Sequence, residues 1–334
     1  MITRITHQMT QRTSLENIQT NLRAMSKLQG QASSLRRIEK PSDDPAGTAQ
    51  ALRLRSESRA LSQYDRNASD GASWLNTVDT ALTTASTQLT RARTLAIQGA
   101  NSGTMNAQSR EAIAQEIEAA RDALLGQANT TYLGRAVFAG TSDASAAFER
   151  DPLTGTYTYN GTAGTVDRRI AEDVTVRVDG NGGAVFGTGA TSMFATLDRL
   201  AADLRAGADV TGYIDEIDAH HDAILQETAT IGARTNQIEA QLQANASKKL
   251  TVKADISAVE DVDLAETLVN LQAQEVAYKA ALGATSRVLQ PTLLDVNQVV
   301  HHVEQLLTRL IGEDIELRTY LSDDLWAVKA DASQ

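Results

Sequence analysis

Two stretches decide the fold of this 334-residue chain: residues 15–35, LENIQTNLRAMSKLQGQASSL, and residues 264–289, LAETLVNLQAQEVAYKAALGATSRVL. In both, apolar side chains recur at alternating spacings of three and four residues, which is typical of a helix with a narrow coiled-coil seam. The predicted assembly seam consists of Leu15, Ile18, Leu22, Met25, Leu35, Leu264, Leu268, Leu271, Tyr278, Leu282 and Leu289. Because such stripes are too narrow for a globular core helix, we expect the two stretches to pair with each other or with neighbouring subunits.

One polar residue interrupts the C-terminal stripe. Glu275 stands where the seam pattern would place an apolar side chain. Two interpretations remain open: an exposed position on the seam, or a polar contact that selects the register or the partner of the helix.

The composition favours long packed helices over a thick core. Hydrophobic residues make up 42% of the chain and aromatic residues only 4%, so the apolar content is mainly aliphatic. The formal net charge is −11 and no dense run of Lys and Arg occurs, which argues against a nucleic-acid partner. Cysteine is absent, which excludes disulfides and thiolate chemistry. No apolar run reaches the roughly 18 residues of a membrane span, so no membrane partner is expected.

Between the two stretches, the pattern changes several times. Residues 41–47, PSDDPAG, predict a loop whose Ser or Asp side chains cap the following helix. Asp70-Gly71 predicts a second interruption before the strongest heptad of the chain, which runs from Leu75 to Ala96. From residue 140 to about 189, frequent glycine and short β-branched runs predict strands. A long helix is predicted over about 213–248.

These elements predict a mainly α protein, an elongated helical bundle with an N- and C-terminal coiled coil and a small β insertion. The predicted parts are a terminal coiled-coil domain (1–40 with 260–295), a helical-bundle domain (41–139 with 192–259), the β insertion (140–191) and a tail (296–334).

Candidates for a chemical site are few. His220-His221 and His301-His302 would need further ligands at helical spacing, and adjacent residues point to different sides of a helix, so we expect a solvated face instead. The pair Asp43-Asp44 lies between proline and glycine, which favours a capping turn over a carboxylate dyad. We therefore predict no catalytic, cofactor-binding or metal-binding residue, no cofactor, and no enzymatic activity.

Three segments carry a resemblance to a known family. They are residues 38–47 (IEKPSDDPAG), 128–140 (ANTTYLGRAVFAG) and 289–295 (LQPTLLD), and they resemble the bacterial flagellin superfamily. The likeness covers about residues 1–295 in the expected order. Within the superfamily, the stretch YLGRAVFAG is more similar to the hook-filament junction branch than to the filament-forming flagellins.

The resemblance implies a structural protein of the bacterial flagellum, a hook-filament junction adaptor that self-assembles through its terminal helices. The implied partners are further copies of the chain, the other hook-filament junction protein, flagellin and a flagellar export chaperone. The implied location is the extracellular flagellum, reached by type III export without a cleaved signal peptide, and the N-terminus lacks the apolar region of such a peptide. The alternative within the family is a filament-forming flagellin.

Residues 296–334 carry a second resemblance. They are similar to the opening of the ATP-binding domain of sensor histidine kinases, and they stop before the asparagine-bearing helix and glycine-rich lid that hold Mg-ATP. The resemblance therefore implies no nucleotide site. It leaves one function of another class, a non-catalytic histidine-kinase-derived fusion module whose long helices dimerise.

Overall fold

The computed structural model describes residues 7–101, 106–288 and 303, which fold into seven α-helices and six short strands. The helices are α1 (His7–Ser34), α2 (Pro45–Ala100), α3 (Ala107–Ala128), α4 (Gly182–Phe186), α5 (Met193–Ala206), α6 (Gly212–Glu260) and α7 (Leu264–Val288), with a 3-10 turn at Gly189–Thr191. The strands are β1 (Thr131–Tyr132), β2 (Arg135–Ala136), β3 (Phe148–Arg150), β4 (Tyr157–Tyr159), β5 (Asp167–Arg169) and β6 (Thr175–Arg177). The predicted fold class, mainly α with long terminal helices and small β pieces in the middle, is confirmed.

The chain divides into two compact units. We call Met1–Ala51 with Ser257–Gln334 the terminal unit and Leu52–Ile256 the central unit. The four-part domain division expected from the sequence stays a prediction.

In the terminal unit, α1 packs against α7 and the two helices run antiparallel. Leu35 ends α1 with a positive φ of 57°, and its carbonyl oxygen accepts a hydrogen bond of 3.2 Å from the backbone N–H of Val262. The backbone N–H of Arg37 donates to the carbonyl oxygen of Glu260 at 2.7 Å. These bonds tie the C-terminal end of α1 to the beginning of α7, so the helices start from a common base.

The beginning of α2 confirms the predicted capping turn. Asp44 Oδ1 accepts a hydrogen bond of 2.8 Å from the backbone N–H of Gly47, so this side chain caps the helix. The helix starts at Pro45, inside the predicted loop, because a proline in the first helical position lacks only an N–H that would have no partner there. Asp43 Oδ2 accepts from the backbone N–H of Lys40 at 2.9 Å, which places it in the turn and not in a dyad.

The interruption predicted at Asp70-Gly71 is wrong, because α2 continues through both residues. Asp70 is held by Arg168, whose Nε lies 2.7 Å from Asp70 Oδ2. Gly71 is buried, and a Cβ there would lie 3.1 Å from Val178 and 3.2 Å from Ile238. The glycine serves a close approach between packed elements and not a break in the helix.

The heptad of α2 forms the core of the central unit. Its members are fully buried, as are the isoleucines that recur every seven residues along α6 from Ile217 to Ile238. The residues of this heptad are Leu75, Val78, Leu82, Ala85, Leu89, Ala92 and Ala96. Small alanines within this line allow the helices to approach closely, as in coiled-coil-like packing.

The β insertion consists of antiparallel hairpins, β3 with β4 and β5 with β6, preceded by the two-residue hairpin of β1 and β2. All four phenylalanines of the chain meet here, with neighbouring ring centroids 5.1–5.9 Å apart. They are Phe138, Phe148, Phe186 and Phe194. Because the strands are short, they bury little surface by themselves. The phenylalanine cluster supplies large apolar side chains for the core at this point.

Candidate assembly surface of the terminal helices

The contact between α1 and α7 uses a line of residues at heptad spacing on each helix. These side chains are half-buried or buried, whereas most of their neighbours are exposed. We call them the pairing line: Ser14, Ile18, Asn21, Met25, Leu28 and Ala32 on α1, and Thr267, Leu271, Gln274, Tyr278, Ala281 and Thr285 on α7. The spacing matches a coiled-coil seam, but seven of these twelve residues are polar or are alanine.

Four residues of the predicted assembly seam lie in the pairing line, namely Ile18, Met25, Leu271 and Tyr278. Five others lie beside it and are 42–54% exposed. We call these the leucine stripe: Leu15, Leu22, Leu264, Leu268 and Leu282.

The remaining two predicted seam residues lie apart from both lines. Leu35 follows the end of α1 and is 54% exposed, and Leu289 lies outside the residues that the structure describes. The structure therefore divides the predicted seam between an inner and an outer line, and the assembly role of its members stays a prediction.

Pairing of α1 with α7 leaves much apolar surface uncovered. Val269 and Val276, seven residues apart on α7, are 65% and 66% exposed in addition to the leucine stripe. Among the described side chains of the terminal unit, Ala51 is the one apolar side chain that is fully buried. Exposed apolar surface is a common feature of the sites at which proteins contact one another.

Charged side chains brace the base of the helix pair. Lys27 Nζ lies 3.3 Å from Asp43 Oδ1, and Arg37 Nη2 lies 3.5 Å from Asp44 Oδ2. The backbone hydrogen bond from Lys40, followed by the contact with Lys27, lowers the pKa of the Asp43 carboxyl. Because these pairs lie at the surface in contact with water, they contribute little to stability.

The expectation that the histidine pair in α6 lies on a solvated face is wrong, because both side chains are half-buried and His221 contacts α2. His221 Nε2 lies 3.0 Å from Ser86 Oγ, and burial lowers the pKa of His220. Asp218, one turn before, pairs with Arg93 Nη2 at 2.8 Å. Within the described part of the chain, no three His, Asp or Glu side chains lie close enough to hold a metal ion, and His301-His302 falls outside that part.

Sequence reasoning missed Asn21 and Gln274, the polar pair in the middle of the pairing line. Gln274 Nε2 donates to the side-chain Oδ1 of Asn21 at 3.1 Å and to its carbonyl oxygen at 3.3 Å. The available signal was spacing, because Asn21 lies three residues after Ile18 and four before Met25. A search for apolar residues alone passes over it.

Comparison with known proteins relates both ends of the chain to one family. Residues 5–143 match the model of the bacterial flagellin N-terminal helical region, and residues 214–296 match that of the bacterial flagellin C-terminal helical region. Flagellin of Bacillus subtilis is 26% identical over 317 residues, which cover 91% of this chain and 99% of that protein. Flagellar hook-associated protein 3 of Escherichia coli is 24% identical over 280 residues, 76% of this chain and 87% of that protein.

A solved structure shares the fold. It is assigned as a flagellar hook-associated protein of Vibrio parahaemolyticus, and it superimposes with a TM-score of 0.61 at 24% sequence identity. The match covers 66% of this chain and the whole of that chain. None of the helices that the structure describes combines the length and apolar character needed to cross a membrane.

Proposed function

Because the chain belongs to the bacterial flagellin family, whose N- and C-terminal helical regions it carries, we propose that it is a structural subunit of the flagellum that joins hook to filament. It self-assembles through α1 and α7 and catalyses no reaction. The resemblance of YLGRAVFAG to the junction branch and the likeness to hook-associated protein 3 support this position in the flagellum.

The leucine stripe is the observation that carries the proposal. Five leucines remain 42–54% exposed after α1 and α7 have paired, at a spacing that suits further helices. Burying apolar surface contributes about 25 cal/mol per Å², so a contact with neighbouring subunits offsets the entropy of ordering these helices. Such a surface suits a subunit whose terminal helices become fully buried only when neighbouring subunits bind.

The proposed partners are further copies of the chain, the other hook-filament junction protein, flagellin, and an export chaperone that covers the apolar ends before export. The proposed location is the extracellular flagellum, reached through type III export without signal cleavage. The kinase-like resemblance of residues 296–334 lies outside the described residues apart from Val303, and it stays a prediction.

A filament-forming flagellin is the second candidate. The similarity to Bacillus subtilis flagellin over 91% of this chain favours it. Polymerisation distinguishes the two functions, since a flagellin grows into long tubes in isolation and a junction subunit does not. Long tubes formed by the purified chain would favour the second candidate.

Deletion of the gene tests the junction function. We expect cells with completed hooks, no filaments, and unassembled flagellin in the medium, because flagellin then lacks the junction on which the filament assembles. Complementation with Leu22→Asp and Leu268→Asp should fail, whereas Leu153→Asp should restore filaments, since Leu153 is a hairpin-tip leucine that is 95% exposed and outside the stripe. Normal filaments on deleted cells would exclude a junction role.

A further inference from the structure

The structure pairs α1 and α7 through their less apolar faces. Apolar burial alone would favour an interface that contains Leu15 and Leu22 of α1 and Leu268 and Leu282 of α7. The observed interface instead contains Asn21 and Gln274 near its middle, and the four leucines stay 42–54% exposed. The contact near the middle of this interface is thus a specific polar one, although a more apolar pairing was available to the two helices.

We propose that the hydrogen-bonded pair Asn21–Gln274 is a positioning device that holds the leucine stripe outward, so that it stays available to neighbouring subunits. That the leucine stripe contacts neighbouring subunits rests on the proposed function, whereas the pairing geometry of α1 and α7 does not. The two bonds from Gln274 Nε2, of 3.1 Å and 3.3 Å, reach both the side chain and the backbone carbonyl of Asn21.

The apolar members of the pairing line cannot supply this selection. Because the helices are antiparallel with Asn21 opposite Gln274, Met25 lies level with Leu271, and Ile18 lies level with Tyr278. These residues repeat every seven positions, so a shift by one heptad still sets apolar side chains against each other. The apolar pattern therefore accepts several arrangements.

The polar pair discriminates between these arrangements. Two other arrangements of α7 are conceivable: it could slide so that Gln274 faces Leu28, or turn so that the leucine stripe enters the interface. In either one, the side-chain amide of Gln274 loses its hydrogen bonds to Asn21. A single buried polar contact sets register in coiled coils for this reason, at some cost in stability.

The hydrogen bonds at the base of the helix pair lie far from the Asn21–Gln274 contact. The bond from Val262 N–H to the Leu35 carbonyl oxygen lies 14 residues from Asn21 along α1, about 21 Å at 1.5 Å per residue. A bond at the base fixes where the two helices start. It does not fix which helix faces meet about 21 Å further along the pair. Asn21–Gln274 supplies that second fixed point.

Thiol reactivity in the full chain tests the proposal, because the protein contains no cysteine of its own. Leu22→Cys reports on the leucine stripe, and Met25→Cys reports on the pairing line. In the otherwise unchanged chain we expect Leu22→Cys to react with a maleimide several-fold faster than Met25→Cys. Equal rates at the two positions would overturn the proposal at once.

The key variant is Asn21→Ala with Gln274→Ala, which removes both partners and leaves neither group unsatisfied. We expect the rate at Leu22→Cys to fall several-fold and the rate at Met25→Cys to rise, as the leucine stripe turns inward. Exchange of the two residues, Asn21→Gln with Gln274→Asn, keeps donor and acceptor and should restore the original order.

The matched control is Asn17→Ala with Gln272→Ala, two exposed amides on the same helices outside the pairing line. This control should leave both rates unchanged. Unchanged rates in the key variant would refute the positioning role, and they would do so without bearing on whether the chain joins hook to filament.

Discussion

Asn245 in α6 donates a hydrogen bond of 3.0 Å from its Nδ2 to the carbonyl oxygen of Ile170, the residue that follows β5. One residue earlier, at the end of β5, the carbonyl oxygen of Arg169 accepts a bond of 2.8 Å from the side-chain Nδ2 of Asn67 in α2. Side chains from both long helices thus hold successive backbone groups of the β insertion. Asn245 and Ile170 are both buried, so water cannot replace this bond.

We expect Asn245→Leu to destabilise the central unit by about 1–3 kcal/mol, because it leaves a buried carbonyl without a donor. In thermal unfolding, the midpoint should fall by about 2–4 °C for each kcal/mol in a unit of this size. Gln243→Leu, an exposed change on the same helix, should leave the midpoint nearly unchanged. Equal midpoints for Asn245→Leu and the unchanged chain would contradict this account of the insertion.

Phe148→Ala should cost about 3–5 kcal/mol, as large-to-small changes of buried aromatic residues do. The ring of Phe148 lies 5.3 Å from that of Phe194 and 5.7 Å from that of Phe186, so its loss opens a cavity at the centre of the cluster. Chemical denaturation measures the change. Leu153→Ala, at a position that is 95% exposed, is the control and should change stability by less than about 0.5 kcal/mol.

Asp44→Ala should expose the first turn of α2, because it removes the side chain that accepts the Gly47 N–H bond. The expected cost is about 0.5–2 kcal/mol, and Asp44→Asn should cost much less since asparagine caps as well as aspartate. Hydrogen exchange of the amides from Gly47 to Ala51 provides the measurement. Faster exchange in both variants alike would show that the carboxylate charge, and not the cap, holds this turn.

His220 should make the central unit less stable below about pH 6.5. Burial lowers its pKa in the folded chain below the ordinary value of 6.5, against the opposing effect of Glu216 and with a smaller contribution from Arg199. Above that pH the ring is neutral in both states and contributes nothing. As the pH falls, the unfolded chain takes up a proton that the folded chain resists, so stability is lost.

The measurement is the unfolding midpoint at about pH 7.5 and about pH 5.5. His220→Gln should reduce the loss between these values, whereas His221→Gln, which retains His220, should keep it. The carboxyls of Glu111 and Glu118 act in a lower range, because hydrogen bonds from Arg205 lower their pKa from 4.5. An undiminished loss in His220→Gln would assign the effect to other groups.

The sequence predicted the helical parts well where one physical signal dominated. The heptad from Leu75 to Ala96 is buried as its spacing indicates, and the cap at Asp44 follows from the side chain that precedes Pro45. Periodicity and capping are local properties of the chain, so they can be read without knowledge of the partner.

The sequence could not predict features that depend on distant partners. Gly71 resembles a helix breaker until Val178 and Ile238 are known to pack against it. The predicted seam divided into two lines because apolar residues occupy both faces, while Asn21 and Gln274 lie on the face that α1 and α7 share. Only the pairing of helices more than 250 residues apart in sequence reveals that choice.

The most direct test of the account is the position of the protein on the flagellum. An epitope tag inserted after Leu153, at the exposed tip of the β3–β4 hairpin, can be located by immunogold electron microscopy on intact flagella. We predict gold at a single point on each flagellum, between hook and filament. Gold along the whole filament would contradict the junction function and identify the chain as a filament subunit.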